Sequence, residues 1–220
     1  MLSSAVNASL LKCVEVAVKS ISNNSSIPPK VHVAAASGLG ALGGFFGLTS
    51  IAIELPITTT LMLRSIAEIA KENGEDLSQP EALLECIQVF AMGARESSED
   101  DAVNSAYLES RIVFSKLINT SAQFMARNSA REILSAIEKK TAPDLVLFIG
   151  RIAARFKIVV SEKMVAQAVP ILGAVGAAAL NGFFTDHFNK VASHHYGIKK
   201  LERKYGLDVV QNEIRNLSKR

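Results

Sequence analysis

Apolar residues recur every three or four positions along most of the chain. In the first stretch the residues with this spacing are Val6, Leu10, Val14, Ala17 and Ile21. This period predicts an amphipathic α-helix over residues 4–22. The period of two that is typical of strands is almost absent, since only IVV at 158–160 would qualify and it is too short to build a sheet. The pattern therefore predicts an all-α protein.

Prolines, glycines and capping patterns mark the helix boundaries in the first half of the chain. Proline near a helix start and glycine past its end predict a helix from Pro56 to Gly74. The sequence SQPE at 78–81 has the capping-box pattern and is predicted to open the helix EALLECIQVFAMGA. The charged stretch RESSEDD at 95–101 is predicted to be a solvated loop.

The second half of the chain continues as helices. Residues 102–140 are predicted to be helical with one break near residues 119–120. TAPD at 141–144 is a variant of the capping box and starts the next helix. The C-terminal region is predicted to be helical and basic, with turns at Gly197 and Gly206.

Two segments carry no charged residue, at 33–53 and 164–185. About 20 apolar residues suffice to cross a bilayer, but glycine and alanine make the insertion of these two marginal. They could be buried and packed together, span a membrane, or be exposed to a bilayer by an otherwise soluble form. We adopt the first interpretation. It predicts a compact domain over 31–220 with these segments at its centre, preceded by an amphipathic helix and linker over 1–30.

The glycines of the first segment include Gly38, Gly40 and Gly43, which spell G-x-G-x-x-G. A dinucleotide fingerprint needs a strand before the glycines and an amphipathic helix and second strand after them. Here the following residues are apolar on every side and Glu54 arrives too soon, so the nucleotide interpretation is rejected. Close packing of helices through small residues explains the glycines better. The predicted structural motif comprises the glycines Gly40, Gly43, Gly173 and Gly176, together with Pro56 and Pro170.

Composition and charge exclude several functions. The net charge of +3 over 220 residues is too small to indicate nucleic-acid binding. Cys13 and Cys86 lie far apart outside any C-x-x-C motif, which predicts buried or idle reduced thiols. The N-terminus lacks the basic region that opens a signal peptide. These features favour a cytoplasmic protein without a cofactor.

A few polar residues are candidates for a binding or catalytic site. Glu54 and Arg64 bracket an apolar helix, and a bend at Pro56 would let them form an ion pair or contact a ligand. Asn181 stands in an apolar run and is predicted to form a hydrogen bond between helices, with a ligand contact as the alternative. None of the usual hydrolase, zinc-protease or paired-carboxylate motifs is present.

Three histidines stand close together in the C-terminal region. His187 and His194 share a helical face, but about 10 Å separates them along the axis, which is too far for a common metal ion. They and His195 are therefore predicted to face solvent or cap helices, and no metal site is expected.

The C-terminal region is basic. Residues 199–220 contain seven Lys or Arg and three Asp or Glu, a local charge of +4. A solvated helix face would explain this, and so would an anionic membrane surface, where each basic residue contributes about 1 kcal/mol. The residues predicted to face the membrane are Lys199, Lys200, Arg203 and Lys204.

The chain resembles the EcsC family. The resemblance rests on GGFFGLTSIAIELPITTTLMLRSIAEIAKENGEDLSQPE at 43–81 and on ARFKIVVSEKMVAQAVPILGAVGAAALNGFFTDHFNKVASHHYGIKKLERKYG at 154–206. It implies a helical bacterial protein, from a family named for a gene beside an ABC transporter, and it implies no reaction.

Together these observations favour a non-catalytic protein at the cytoplasmic face of the membrane that binds lipid or a transporter component. One alternative is an enzyme for a small apolar or lipid-like substrate with Glu54 and Arg64 at its site. The other is a structural module that binds proteins.

Overall fold

The computed structural model describes residues 2–20, 51–93, 100–167 and 173–217, which form eight α-helices and no strand within those ranges. The all-α prediction is confirmed. In chain order the helices are α1 (Leu2–Ser20), α2 (Ile51–Glu72), α3 (Pro80–Met92), α4 (Asp100–Arg127), α5 (Ala130–Glu138), α6 (Pro143–Gln167), α7 (Gly173–Tyr205) and α8 (Leu207–Leu217).

Helix α3 is the centre of the described fold. It contacts α1, α2, α4, α6 and α7, and nine of its residues are buried. At its C-terminal end Phe90 joins an aromatic cluster with Phe156 of α6 and with Phe184 and Phe188 of α7, whose neighbouring ring centroids lie 5.0 to 6.1 Å apart. Removing these apolar side chains from water contributes to the driving force for folding.

Helix α2 begins earlier than predicted. Pro56 lies inside it rather than at its start. Proline removes one backbone hydrogen bond from a helix. The hydroxyl of Thr59 donates to the carbonyl of Leu55 and that of Thr60 to the carbonyl of Pro56, at 2.6 and 2.8 Å.

The predicted end of α2 is confirmed, because Gly74 follows the helix with a φ of +90° that disfavours side chains.

The capping box predicted at 78–81 does not form. The Ser78 hydroxyl instead donates to Asp76, 2.7 Å away. Gln79 is the N-cap of α3 and makes no side-chain capping bond. Proline at the first helical position suits this start, since its missing N–H would have no partner there.

The second predicted capping box, at 141–144, is also absent. Thr141 donates its hydroxyl back to the carbonyl of Ala136, and α6 begins at Pro143. A capping box does form at α5, where the Ser129 side chain accepts from the Glu132 N–H and the Glu132 carboxylate accepts from the Ser129 N–H. The sequence analysis did not single out that pair.

Three further boundaries differ from the prediction. Helix α4 begins at Asp100, inside the stretch 95–101 that was predicted to be a loop, and residues 95–99 lie outside the described ranges. The break predicted near residues 119–120 lies at residues 128–129, between α4 and α5. Gly197 lies inside α7, whereas the predicted turn at Gly206 is confirmed by a φ of +94°.

Much of the two uncharged segments lies outside the described residues, including Gly40, Gly43 and Pro170. Their described remainders are 51–53 in α2, 164–167 at the end of α6 and 173–185 in α7, and α2 and α7 contact each other. Gly173 and Gly176 stand in the first turn of α7. Of the helices in the described ranges, none combines the length and the apolar character needed to cross a membrane.

Candidate functional site

The residues predicted for a ligand site lie on α2 and α7, and of the three only Arg64 has a described side chain. Glu54 and Arg64 both lie in α2, ten positions apart, and therefore about 15 Å apart along the axis of one continuous helix. Arg64 is exposed. The backbone of Asn181 belongs to α7, but the side chains of Asn181 and Glu54 lie outside the described residues.

The four predicted membrane-surface cations divide into two pairs. Lys199 contacts the carboxylates of Glu75 and Glu85. Arg203 contacts the Glu75 carboxylate and donates to a backbone carbonyl in the loop between α2 and α3. Lys200 and Lys204 are both exposed. Two of the four cations therefore hold α7 against its neighbours, and two face solvent.

Another ion pair joins the same end of α7 to α4. The Arg111 guanidinium of α4 donates to both carboxylate oxygens of Glu202, at 2.6 and 2.8 Å. The two side chains are only 20% and 8% exposed. A bidentate pair shielded in this way is stronger than an exposed one. The last turns of α7 are thus fixed to α3, to α4 and to the loop before α3.

Next to these ion pairs lies a buried polar cluster, formed by Cys86 of α3, Tyr107 of α4, and His195 and Tyr196 of α7. The Tyr107 hydroxyl lies 3.1 Å from His195 Nδ1. Tyr196 donates its hydroxyl to Cys86 Sγ at 3.2 Å. His195 Nε2 is buried and has no hydrogen-bond partner in the part of the chain that the structure describes.

Burial keeps the members of this cluster uncharged at neutral pH. It lowers the pKa of His195 to about 3, and the charges of Arg111 and Lys199 act in the same direction. It raises the pKa of Tyr107 and of Cys86 to about 12 each. A neutral imidazole with so low a pKa is a poor general base, and a protonated thiol is a poor nucleophile. The cluster is therefore suited to joining helices rather than to acid–base or nucleophilic catalysis.

The histidine prediction is confirmed for two residues and wrong for one. His187 caps α3, with Nε2 2.8 Å from the Gly93 carbonyl oxygen, and His194 is exposed. His195 is only 2% exposed. Its spacing of four from Lys199 and seven from Glu202 places all three on one face of α7. That shared face with Lys199 and Glu202 was the feature of the sequence that could have indicated the burial of His195.

The clearest exposed feature in this part of the molecule is the C-terminal corner, which we define as Leu201 and Tyr205 of α7 with Leu207 and Val209 of α8. These side chains are 47% to 61% exposed. Lys200 and Lys204 stand beside the first two along α7, and the Lys204 ammonium lies 4.8 Å from the Tyr205 ring centroid. The corner therefore combines apolar surface with exposed positive charge.

No group of residues that could hold a metal ion occurs in the described ranges. The buried thiols predicted from the sequence are confirmed, since Cys13 and Cys86 are both buried and unpaired.

Comparison with known proteins identifies the family. A search of curated proteins and a search of solved structures each returned no match. The model of the EcsC protein family matches residues 7–201, which is most of the chain and includes every described residue of the polar cluster. The chain belongs to the EcsC protein family.

Proposed function

We propose that this protein is a non-catalytic helical protein that associates with the anionic inner face of a cell membrane through the C-terminal corner. The observation that carries the proposal is the exposure of Leu201, Tyr205 and Leu207 next to Lys200 and Lys204. Apolar side chains and tyrosine enter the headgroup region of a bilayer, and lysines beside them attract anionic lipids.

The ion pairs of the C-terminal region support the assignment of the membrane contact to Lys200 and Lys204. The ion pairs of Lys199, Arg203 and Glu202 are directed inward to α3, α4 and the preceding loop. Lys200 and Lys204 take part in none of the ion pairs seen among the described residues. Two lysines on one side of the corner contribute about 2 kcal/mol of attraction to an anionic surface, and apolar burial of the corner adds to it.

A catalytic role draws less support from the same geometry. The polar cluster is uncharged and buried, and Glu54 and Arg64 are separated by the length of nearly three helical turns. The exposed corner therefore supports association better than the described polar groups support a reaction.

The test is flotation of the full chain with vesicles made of equal parts phosphatidylcholine and phosphatidylserine, at low and high salt. We expect flotation at low salt and much less at high salt, since salt screens the attraction. Lys200→Glu with Lys204→Glu should weaken binding at least tenfold. The control, Lys139→Glu with Lys157→Glu, makes the same charge change at exposed positions of the α5–α6 side.

Serine replacements at exposed apolar positions measure the hydrophobic contribution to membrane binding. Leu201→Ser with Leu207→Ser should reduce flotation, while Leu147→Ser with Ile158→Ser, which are similarly exposed on α6, should not. A protein that stays at the bottom of the gradient at both salt concentrations contradicts the proposal. Equal losses in the corner variants and their controls contradict the assignment to this surface.

A further inference from the structure

Helix α8 is held to the rest of the protein by very little. It has 11 residues, and Val210 is its only buried one. Its main contacts are with the end of α7 and with α4. Leu207 and Leu217, at its two ends, are 50% and 56% exposed. The helix is therefore anchored through its middle while both ends remain accessible.

Most of the apolar residues of α8 nevertheless form a continuous stripe. Four of the five stand at Leu207, Val210, Ile214 and Leu217, a spacing of three, four and three that places them on one face of the helix. The rest of the helix surface is polar, with Asn212 opposite the stripe, except for the exposed Val209. A helix with one apolar stripe and a polar remainder is typical of helices that lie in the plane of a membrane surface.

The connection between α7 and α8 allows α8 to change direction. Gly206 alone joins the two helices and has a φ of +94°. A Cβ at this position would meet no atom within 4 Å, so the space around the turn is open. By contrast, the residues just before it are fixed, because Glu202 is bound by Arg111 and Arg203 by Glu75. Any displacement of the C-terminal region is therefore confined to the part after Gly206.

We propose that α8 detaches from α4 at Gly206 and lies on the anionic membrane with its whole apolar stripe, Val210 included, in contact with lipid. This inference rests on the proposed function and adds how the contact is made. The positive charge that would attract this occupant stands just before the hinge, at Lys200 and Lys204, whereas α8 itself carries Asp208, Glu213 and Arg215 and contributes its apolar stripe. A docked α8 would present only the ends of its stripe to a bilayer.

Tryptophan fluorescence can test this directly, because the chain contains no tryptophan. Single replacements Leu207→Trp, Val210→Trp and Asn212→Trp report the hinge, the buried anchor and the polar face. Ile214→Trp is a second reporter on the stripe, in case the larger side chain at position 210 disturbs docking before vesicles are added. Each full-length variant is mixed with phosphatidylcholine and phosphatidylserine vesicles in which the phosphatidylcholine acyl chains carry bromine, a quencher confined to the lipid.

The inference predicts quenching at positions 207, 210 and 214 and at least threefold less at position 212. Quenching at 207 alone overturns the detachment of α8 but leaves membrane association intact. If none of the variants is quenched while the unmodified protein floats with vesicles, another surface binds and the inference fails. If the protein does not float either, the proposed function fails with it. An emission shift that follows protein concentration rather than lipid shows that α8 binds a second copy, which also overturns the inference.

Discussion

Replacing Gly93 by alanine is a sharp test of how the core around α3 is packed. Gly93 follows α3 with a φ of −74° and a ψ of −9°, a conformation that alanine adopts without strain. The space for a side chain there is occupied by a neighbour, because a Cβ would lie 2.4 Å from Cε1 of Phe188 and 3.0 Å from two further ring atoms. Unstrained carbon atoms of this kind stay about 3.5–4.0 Å apart.

The magnitude follows from what Phe188 can do in response. Its ring is fully buried, with centroids of Phe90 and Phe184 each 5.3 Å away, so the required shift of about 1 Å disturbs the whole aromatic cluster. Overpacking of this kind costs about 1–3 kcal/mol. Alanine recovers up to about 1 kcal/mol of backbone entropy relative to glycine. We therefore expect Gly93→Ala to lower the free energy of unfolding by about 1–2 kcal/mol.

The assay is urea unfolding followed by far-ultraviolet circular dichroism, with Gly150→Ala as the matched control. Gly150 lies inside α6, and a Cβ at this position would meet no atom within 4 Å, so alanine there should stabilise by about 0.5–1 kcal/mol. The two substitutions thus have opposite signs. In a Phe188→Leu background the cost of Gly93→Ala should fall by more than half. A Gly93→Ala protein as stable as the unmodified one would refute this account of the core.

Three further predictions concern the polar groups. The pKa of His195 is about 3 in the folded state and near 6.5 when unfolded, so only the unfolded state gains this proton as the pH falls from 6.5 towards 3. The free energy of unfolding should therefore drop by up to about 1.4 kcal/mol per pH unit. His195→Asn should flatten that slope in acid unfolding curves. Arg111→Lys keeps the charge but loses the bidentate pair with Glu202, and should lower the free energy of unfolding by about 1–2 kcal/mol in the urea assay, unlike an exposed Arg-to-Lys control. Cys13 and Cys86 should react with maleimide only at the rate of unfolding, measured by mass spectrometry, since burial raises the pKa of both thiols; rapid labelling of native protein would contradict their burial.

Helical periodicity was a reliable guide to which segments are helical. The stripe from Val6 to Val14 predicted α1, and its members are buried in the structure. The pattern succeeded because an amphipathic helix must present its apolar residues at this spacing to bury them on one side. Helix ends were harder, because a capping pattern needs only two residues at the right spacing. Ser78 has such a partner in the sequence, but Asp76 binds it instead.

The polar cluster was beyond sequence reasoning for a different reason. His195 was predicted to face solvent or cap a helix, whereas it is buried and contacts Tyr107, which lies 88 positions away. The same holds for Arg111 and Glu202, which are 91 positions apart. Contacts of this kind depend on how helices pack. The charge count therefore overstated the basic surface, since it could not show that Lys199 and Arg203 are held by Glu75.

The energetics of the C-terminal region explain why a membrane contact would divide α7 from α8. Breaking a largely buried ion pair by removing one partner costs about 3–5 kcal/mol, and the end of α7 is held by Glu202, Lys199 and Arg203 together. Undocking α8 exposes one buried valine, at a cost of about 1.5–2 kcal/mol. Burial of the stripe of α8 in lipid returns at least that much, because Val210 regains an apolar environment and the exposed leucines gain one. A bilayer can therefore offset the cost of releasing α8 but not the cost of releasing the end of α7. Gly206 separates the part of the chain that stays docked from the part that can move to the membrane.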